Sequence, residues 1–265
     1  CSYILMYNFA SVYIVLIVKK IMKTLVIIPS RLSAQRLPGK PLMKIKGLSI
    51  ISHVFKKAEE ANIGEVIVAT EDQEIVDDVK KNGGQVILTE KQHKTGTDRI
   101  YEALQKFNNT DIDLVMNLQG DEPLMNIEDI KSLNNQMIKN QSELGTLASE
   151  IKDKTIYENQ NIVKAITTEK LDNLNFPEAI NFIRKDLKNT KNIYHHLGIY
   201  CYQKETLKNF VSFNQSKNEL KSKLEQLRAL DNNIKINVAL SKSSPIGVDT
   251  KEDFLAIKKI MEYKS

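Results

Sequence analysis

From residue 22 onward the apolar residues follow two periods in turn. Short apolar runs over residues 25–28, 66–70, 86–88 and 114–118 predict buried strands. Between the first two, Ile50, Ile51, Val54, Phe55 and Ala58 fall on one face of a 3.6-residue helix; Ile75, Val76 and Val79 do the same further on, and Ile100, Ala103, Leu104 and Phe107 form a third such face. Gly83-Gly84 closes the second of these helices, as a C-terminal glycine does. This alternation predicts βαβ units, a mostly parallel sheet and a nucleotide-binding layout. The second half is less regular. It predicts strands over 145–150, 163–167, 197–202 and 234–239 and helices near 204–210, 219–229 and 251–262, with a further helix starting near Ile127. Residues 152–192, rich in Asn, Lys and Asp, predict a mobile excursion. No Gly/Ser or Pro-rich linker and no repeat divides the chain, so one domain over 22–265 is expected, with halves 22–150 and 151–265.

The chain opens differently. Residues 3–18 are almost wholly apolar and end in Lys19-Lys20, a run shorter than the roughly 20 residues of a spanning helix and with its charges on the wrong side for a signal peptide. The reading adopted is that translation starts at Met22 and that 1–21 is a non-native or optional leader, with a membrane anchor as the alternative. Without Lys19 and Lys20 the net charge of +5 becomes +3.

Composition narrows the classes. At 265 residues, 42% hydrophobic and 27% charged, the chain can bury a core and is neither collagenous nor disordered. Cys1 and Cys201 form no C-x-x-C pair, which excludes a disulfide scaffold or zinc ribbon and fits a reducing cytoplasm; Cys201 reads as a small buried hydrophobe in a strand. The positive charge is dispersed and Trp is absent, which argues against a nucleic acid partner.

In open α/β sheets ligands bind beyond the carboxyl ends of the strands. The loop after the first strand carries Arg31, Arg36 and Lys40 with Gly39 and two prolines, a cationic cradle suited to a triphosphate, although a solvated basic loop would look similar. Neither a dinucleotide fingerprint nor a P-loop is present. After the fourth strand, Gln119-Gly120-Asp121-Glu122-Pro123 offers acids placed to hold Mg2+, or else to cap the helix near Ile127. Near the end, Thr250 and Asp253 read as a capping box that leaves Asp249 free to face the same loop.

Ile28-Pro29-Ser30-Arg31, Arg36-Leu37-Pro38-Gly39-Lys40-Pro41, Thr95-Gly96-Thr97-Asp98-Arg99 and Asn117-Leu118-Gln119-Gly120-Asp121-Glu122-Pro123 follow one another in the order of a known family. Tyr194-His195-His196-Leu197-Gly198-Ile199-Tyr200, Leu224-Glu225-Gln226-Leu227-Arg228 and Gly247-Val248-Asp249-Thr250 continue it. From Met22 to the C-terminus the chain resembles the 3-deoxy-manno-octulosonate (KDO) cytidylyltransferases.

The resemblance implies a three-layer αβα Rossmann-like nucleotidyltransferase fold, similar to the glycosyltransferase-A type, with a mixed, mostly parallel sheet. It implies transfer of CMP from CTP to KDO with release of pyrophosphate, activating KDO for lipopolysaccharide synthesis, in a homodimer. It assigns Arg31, Arg36, Lys40, Thr95, Gly96, Thr97 and Arg99 to CTP. It gives Mg2+ to Asp121 and Asp249, names these two with Lys40 and Arg36 as catalytic, and gives the sugar to Gln119, Arg184, His196, Tyr200, Glu225 and Gln226. An Arg and a His beside a sugar carboxylate would explain selection of an acidic sugar; a packed structural role for His196 and a surface position for Glu225-Gln226 are the alternatives. The chain departs from the family at Ala34 and Ile183, where Ser is usual. Ile183 lies at the expected sugar pocket, so another acidic sugar, such as 8-amino-KDO or a sialic or pseudaminic acid, is a second reading; a non-catalytic nucleotide-binding protein is a third.

Overall fold

A strand buried on both faces must be apolar throughout, and Thr24–Ser30 (β1) meets that demand, with Leu25, Val26, Ile27 and Ile28 fully buried. The computed structural model describes residues 22–33, 36–90, 93–109, 111–185 and 190–263; the apolar leader 1–21 and Ala34 lie outside the described residues. After β1 come a 3-10 turn (Lys40–Leu42), a small hairpin of β2 (Lys44–Ile45) and β3 (Leu48–Ser49), α1 (Ile50–Ala61), β4 (Gly64–Thr70), α2 (Gln73–Lys81) and β5 (Val86–Leu88). Next are α3 (Gly96–Lys106), β6 (Leu114–Asn117), α4 (Ile127–Asn140), β7 (Leu144–Ser149), α5 (Lys154–Glu158), β8 (Lys164–Thr167) and β9 (Ala179–Ile183). The long β10 (Ile193–Gln203), α6 (Lys204–Ser212), α7 (Lys217–Ser222), α8 (Leu227–Asp231), β11 (Ile236–Ser241) and α9 (Lys251–Tyr263) complete the described chain.

Across the sheet the order is β11-β7-β10-β6-β1-β4-β5. Neighbours run parallel except at β10, which is antiparallel to both β6 and β7. This is the expected mixed, mostly parallel sheet. One edge of β10 changes partner along its length: Tyr194 pairs with Ala165 of β8, whereas Tyr200 pairs with Asn117 of β6. The register against β7 also shifts between Leu197 and Tyr200. The sheet therefore opens at Gly198, beside the carboxyl end of β6.

Side chains alternate across the pleat and feed two cores. Leu25 and Ile27 pack with Ile100 and Leu104 of α3 and Phe210 of α6 on one face. Val26 and Ile28 pack with Val54 of α1, Ile75 of α2 and Leu133 of α4 on the other. A third, small cluster of Ile45, Ile50, Val248 and Ile257 fastens α9 to the hairpin, each buried side chain contributing roughly 1.5–3 kcal/mol. That cluster fixes the backbone next to Asp249.

Two expectations are corrected. Residues 152–192 hold α5, β8 and β9, and β9 extends the sheet through antiparallel pairing with β8; the Asn- and Lys-rich composition hid the strand. The single helix expected over 219–229 is two helices broken at Lys223, which sits in the left-handed region at φ 52°. The turn is held by a nearly buried bidentate pair: Arg228 donates from Nε and Nη2 to the Glu219 carboxylate at 2.8 and 2.6 Å and stacks over Phe210. Burial opposes the Glu219 charge, but hydrogen bonds from Arg228, Gln215 and the Ser216 N–H outweigh it and hold the carboxyl below its ordinary range. Arg228→Ala strands that carboxylate and should cost about 3–5 kcal/mol. Urea unfolding of the variant measures the loss.

Candidate functional site

The basic loop is tied at both ends. Leu32 N–H donates to Asp72 Oδ2 at 2.7 Å, and Gly39 N–H returns to Leu32 O at 3.0 Å. Gly39 takes φ +74°, a conformation that disfavours any residue with a Cβ. Asp72 stands at the N-cap of α2, yet its side chain makes no cap hydrogen bond there and holds the loop instead. The Pro41 turn then aims Lys40 across the cleft. Its Nζ donates to Asp121 Oδ2 at 2.5 Å, Val248 O at 2.8 Å and Asp249 Oδ1 at 3.3 Å. Arg36 meets the other oxygen of Asp249 at 2.9 Å.

Both acids are free of capping duty. Asn126, not Asp121 or Glu122, caps α4 by accepting from Glu128 N–H. Asp253 accepts from Thr250 N–H and its hydroxyl, the reciprocal box expected there, and Asp249 points to the basic loop. Gly120 lets the two loops touch, since a Cβ there would lie 2.9 Å from Pro29 O. Burial, and then the charges of Asp121 and Asp249 against that of Lys40, push the Glu122 carboxyl up to about 8, and its Oε2 is sealed without a partner. Among the described residues no three His, Cys, Asp or Glu side chains form a ready metal shell. Two carboxylates sharing one ammonium, with a third acid behind them, are nevertheless a hard oxygen donor set that a divalent cation with phosphate oxygens would fit.

Arg31, Arg36, Lys40, Thr95, Gly96, Arg99, Gln119, Asp121 and Asp249 line one cleft of about 590 Å³ at the carboxyl ends of β1 and β6. Their roles within it differ. Thr95 is the N-cap of α3, in a reciprocal box with Asp98. Arg99 is nearly buried; it pairs with Glu71 and donates to Thr89 Oγ1 at 2.5 Å, so it builds the wall while its residue faces the cleft. Thr97 is buried, and with Thr95 it lies against the Glu225 carboxylate, whose Oε1 accepts no hydrogen bond but lies 3.9 Å from Arg228 Nη2 and whose pKa burial raises.

Of the expected sugar residues, Gln119, His196 and Tyr200 gather at the opening in β10. Gln119 donates from Nε2 to Gly198 O at 3.0 Å, and the His196 ring lies 5.5 Å from that of Tyr200. The helix break places Glu225 and Gln226 in the turn before α8, beside Thr95 and Thr97, rather than along a helix face. Arg184 is apart from the cleft lining; it follows β9 half-buried and donates to Asn161 O at 2.7 Å, while Ile183 before it pairs with Lys164. His196 is 8% exposed. Burial, and to a lesser degree His195, drives its pKa down to about 3, so it supplies no charge for a sugar carboxylate. The Cys201 thiol is buried in β10 and pushed up by burial, as its strand position suggests.

The five buried polar side-chain atoms lacking a hydrogen-bond partner among the described residues are Ser30 Oγ, Asn117 Oδ1, Glu122 Oε2, Ser149 Oγ and Glu225 Oε1. The first four sit at or just past strand carboxyl ends, and the fifth faces the α3 N-terminus. No signal in the sequence marks Asp72, Thr146 or the Val248 carbonyl; Glu122 was visible only as the acid beside Asp121.

The cytidylyltransferase family matches residues 25–236. The 3-deoxy-manno-octulosonate cytidylyltransferase of Rhodopseudomonas palustris (strain BisB18) is 40% identical over 243 residues, covering 91% of this chain and 98% of its own. The chain belongs to that cytidylyltransferase family. A solved CMP:2-keto-3-deoxy-manno-octonic acid synthetase complexed with CTP superposes on this family member with TM-score 0.83 at 31% identity, over 92% of this chain and 100% of the other. A UDP-glucose pyrophosphorylase complexed with UDP-glucose shares the fold at TM-score 0.69 and 14% identity, over 92% and 100%. The nucleotidyltransferase fold expected from the sequence is therefore that of the cytidylyltransferase.

Two outcomes follow. Asp72→Ala removes the acceptor that holds Leu32 N–H, and exchange of that amide should quicken about ten- to hundredfold while amides of β1 stay protected; hydrogen exchange reads both. His196 has a folded pKa below the ordinary 6.5, so the unfolded chain takes up the proton first. Stability from this group is complete above about pH 6.5 and drains as the pH falls toward about 3, by at most about 1.4 kcal/mol per unit. Urea melts should show wild type losing stability with acid faster than His196→Gln, which cannot titrate.

Proposed function

We propose that this cytidylyltransferase transfers CMP from CTP to the anomeric hydroxyl of KDO. The hydroxyl oxygen forms a bond to the α-phosphorus and gives up its proton to solvent, the bond from that phosphorus to the bridging oxygen breaks, and pyrophosphate leaves. The reading is carried by one observation: Lys40, Asp121 and Asp249, from three remote segments, converge at the carboxyl ends of β1 and β6 beside the loop of Arg31 and Arg36. Catalysis of such a displacement is mainly positioning and charge stabilisation. Arg31 and Arg36 neutralise the phosphates, and Lys40 does so once its carboxylate partners are otherwise engaged. Thr95, Gly96 and Thr97 seat the cytidine, with Arg99 holding that wall. Gln119, Tyr200, Glu225 and Gln226 bind sugar hydroxyls with His196, and Arg184 is the candidate for the sugar carboxylate. Asp121 and Asp249 would hold Mg2+, which supplies charge neutralisation at the phosphates when bound. No covalent nucleophile is needed.

The finer setting is part of the same proposal: a homodimer, supported by the exposed Leu174 and Ile180 of the sugar-binding half, working in the cytoplasm and feeding lipopolysaccharide synthesis. Among the described residues no helix is long and apolar enough to cross a membrane. Ile183 keeps a second reading in view, since it replaces a hydroxyl next to Arg184: another acidic sugar as acceptor.

The test is pyrophosphate release from CTP and Mg2+ with KDO, 8-amino-KDO, N-acetylneuraminate or no sugar. Release with KDO is the expected outcome; release with another sugar alone moves the assignment to that acceptor, and silence with all of them overturns it. Lys40→Ala should lower kcat/KM about 100- to 1000-fold, chiefly through kcat. Asp121→Asn should lower turnover by a similar factor with the fold intact by circular dichroism.

A further inference from the structure

The irregular part of β10 is clamped on both edges. Leu197 O and Ile199 O face β7, where the buried Thr146 Oγ1 lies 3.3 and 2.7 Å from them. Gly198 O faces the other way and accepts from Gln119 Nε2 at 3.0 Å. A Cβ at Gly198 would meet Gln119 Cγ at 3.5 Å, so the amide rests directly on this backbone. Two residues before Gly198, His196 N–H donates to Val163 O at 3.0 Å, and the imidazole packs edge-on against Phe182.

The same Thr146 hydroxyl lies 3.0 Å from His196 Nε2. A hydroxyl has one proton and two lone pairs. Ile199 O is the shortest of its three contacts and cannot donate, so the proton points there. The remaining contact is then made by a proton on His196 Nε2. Among the described residues the other ring nitrogen, Nδ1, has no hydrogen-bond partner, and it is not one of the sealed polar atoms of the core. The ring that carries it stands beside Tyr200 and the Gln119-clamped backbone, where the substrate sugar is placed.

We propose that Thr146 is a positioning residue of the sugar site: its hydroxyl holds the opening in β10 and fixes His196 as the Nε2–H tautomer, so that Nδ1 is presented as a hydrogen-bond acceptor to a hydroxyl of the acceptor sugar. The tautomer part stands on the protein alone; the part concerning the sugar rests on the function proposed above. His196 then reads a neutral hydroxyl, and selection for an acidic sugar falls to other groups. Thr146 itself touches no substrate.

The experiment uses the full chain labelled with 15N-histidine, whose four His side chains are assigned with His196→Gln. At neutral pH the His196 signals should show a protonated, pyrrole-type Nε2 and an unprotonated, pyridine-type Nδ1. The opposite pattern, or an imidazolium, overturns the proposal without any substrate being present. Thr146→Val keeps the shape and removes the hydroxyl. It should raise KM for the acceptor sugar about tenfold while KM for CTP stays at its wild-type value, and Thr146→Ser should restore both. An equal rise in both constants, or none, overturns the positioning role. If no acidic sugar supports turnover, the functional reading fails, and the tautomer measured in the free protein still decides this inference.

Discussion

The ammonium of Lys40 lies between two carboxylates 81 and 209 residues away along the chain, and most of the cleft is arranged around that contact. Asp121 and Asp249 would repel one another if brought together alone. A cation between them turns that repulsion into the force that draws the two loops to the basic loop. Lys40 is 14% exposed in its side chain, so solvent screens the interaction weakly compared with a surface pair. Its third bond, to the Val248 carbonyl, joins the charge cluster to the small apolar core that anchors α9. Hydrophobic packing thus sets where Asp249 stands, and electrostatics sets what it faces.

The antiparallel insertion of β10 supplies the other half of the site. A wholly parallel sheet closes its surface with successive helices, leaving a crevice only beyond the strand ends. Here β10 exchanges β8 for β6 along one edge, and its carbonyls cannot all find a ladder partner at the exchange. Side chains take up the difference: Thr146 on one side and Gln119 on the other. At the opening Gly198 O and Ile199 O are thus each met by a side chain in place of a ladder partner.

The parallel half of the fold was legible because its signal is local. The apolar run of β1 and the helical faces of α1, α2 and α3 are each readable within a dozen residues, and the capping box at Thr250 is likewise short-range chemistry. Convergence of Arg36, Lys40, Asp121 and Asp249 was legible because the first three follow strand ends and Asp249 stands just ahead of a capping box. The rest failed where a neighbour in space decides the outcome. Residues 219–229 keep helical periodicity through a left-handed Lys223, and only the Arg228–Glu219 pair reveals the break. β9 is an edge strand of mixed polarity that becomes a strand through pairing with β8. Asp72 stands at the N-cap of α2 and is used as a loop anchor, a choice that depends on Leu32 forty residues away.

Charge accounting within the cleft separates its cations by availability. Lys40 and Arg36 are matched to Asp249, with Asp121 on Lys40 as well, and Arg99 is matched to Glu71. Arg31 and Lys94 also line the cleft and form no ion pair among the described residues. A polyphosphate approaching from solvent meets those two without displacing anything, whereas Lys40 can turn to it only when the acids acquire another counter-charge. On the proposed function, Lys40 would turn to the phosphates once a second cation shared Asp121 and Asp249. Nucleotide without such a cation should be held mainly by Arg31 and Lys94, and the ammonium placed deepest in the cleft should act only in the fully assembled complex.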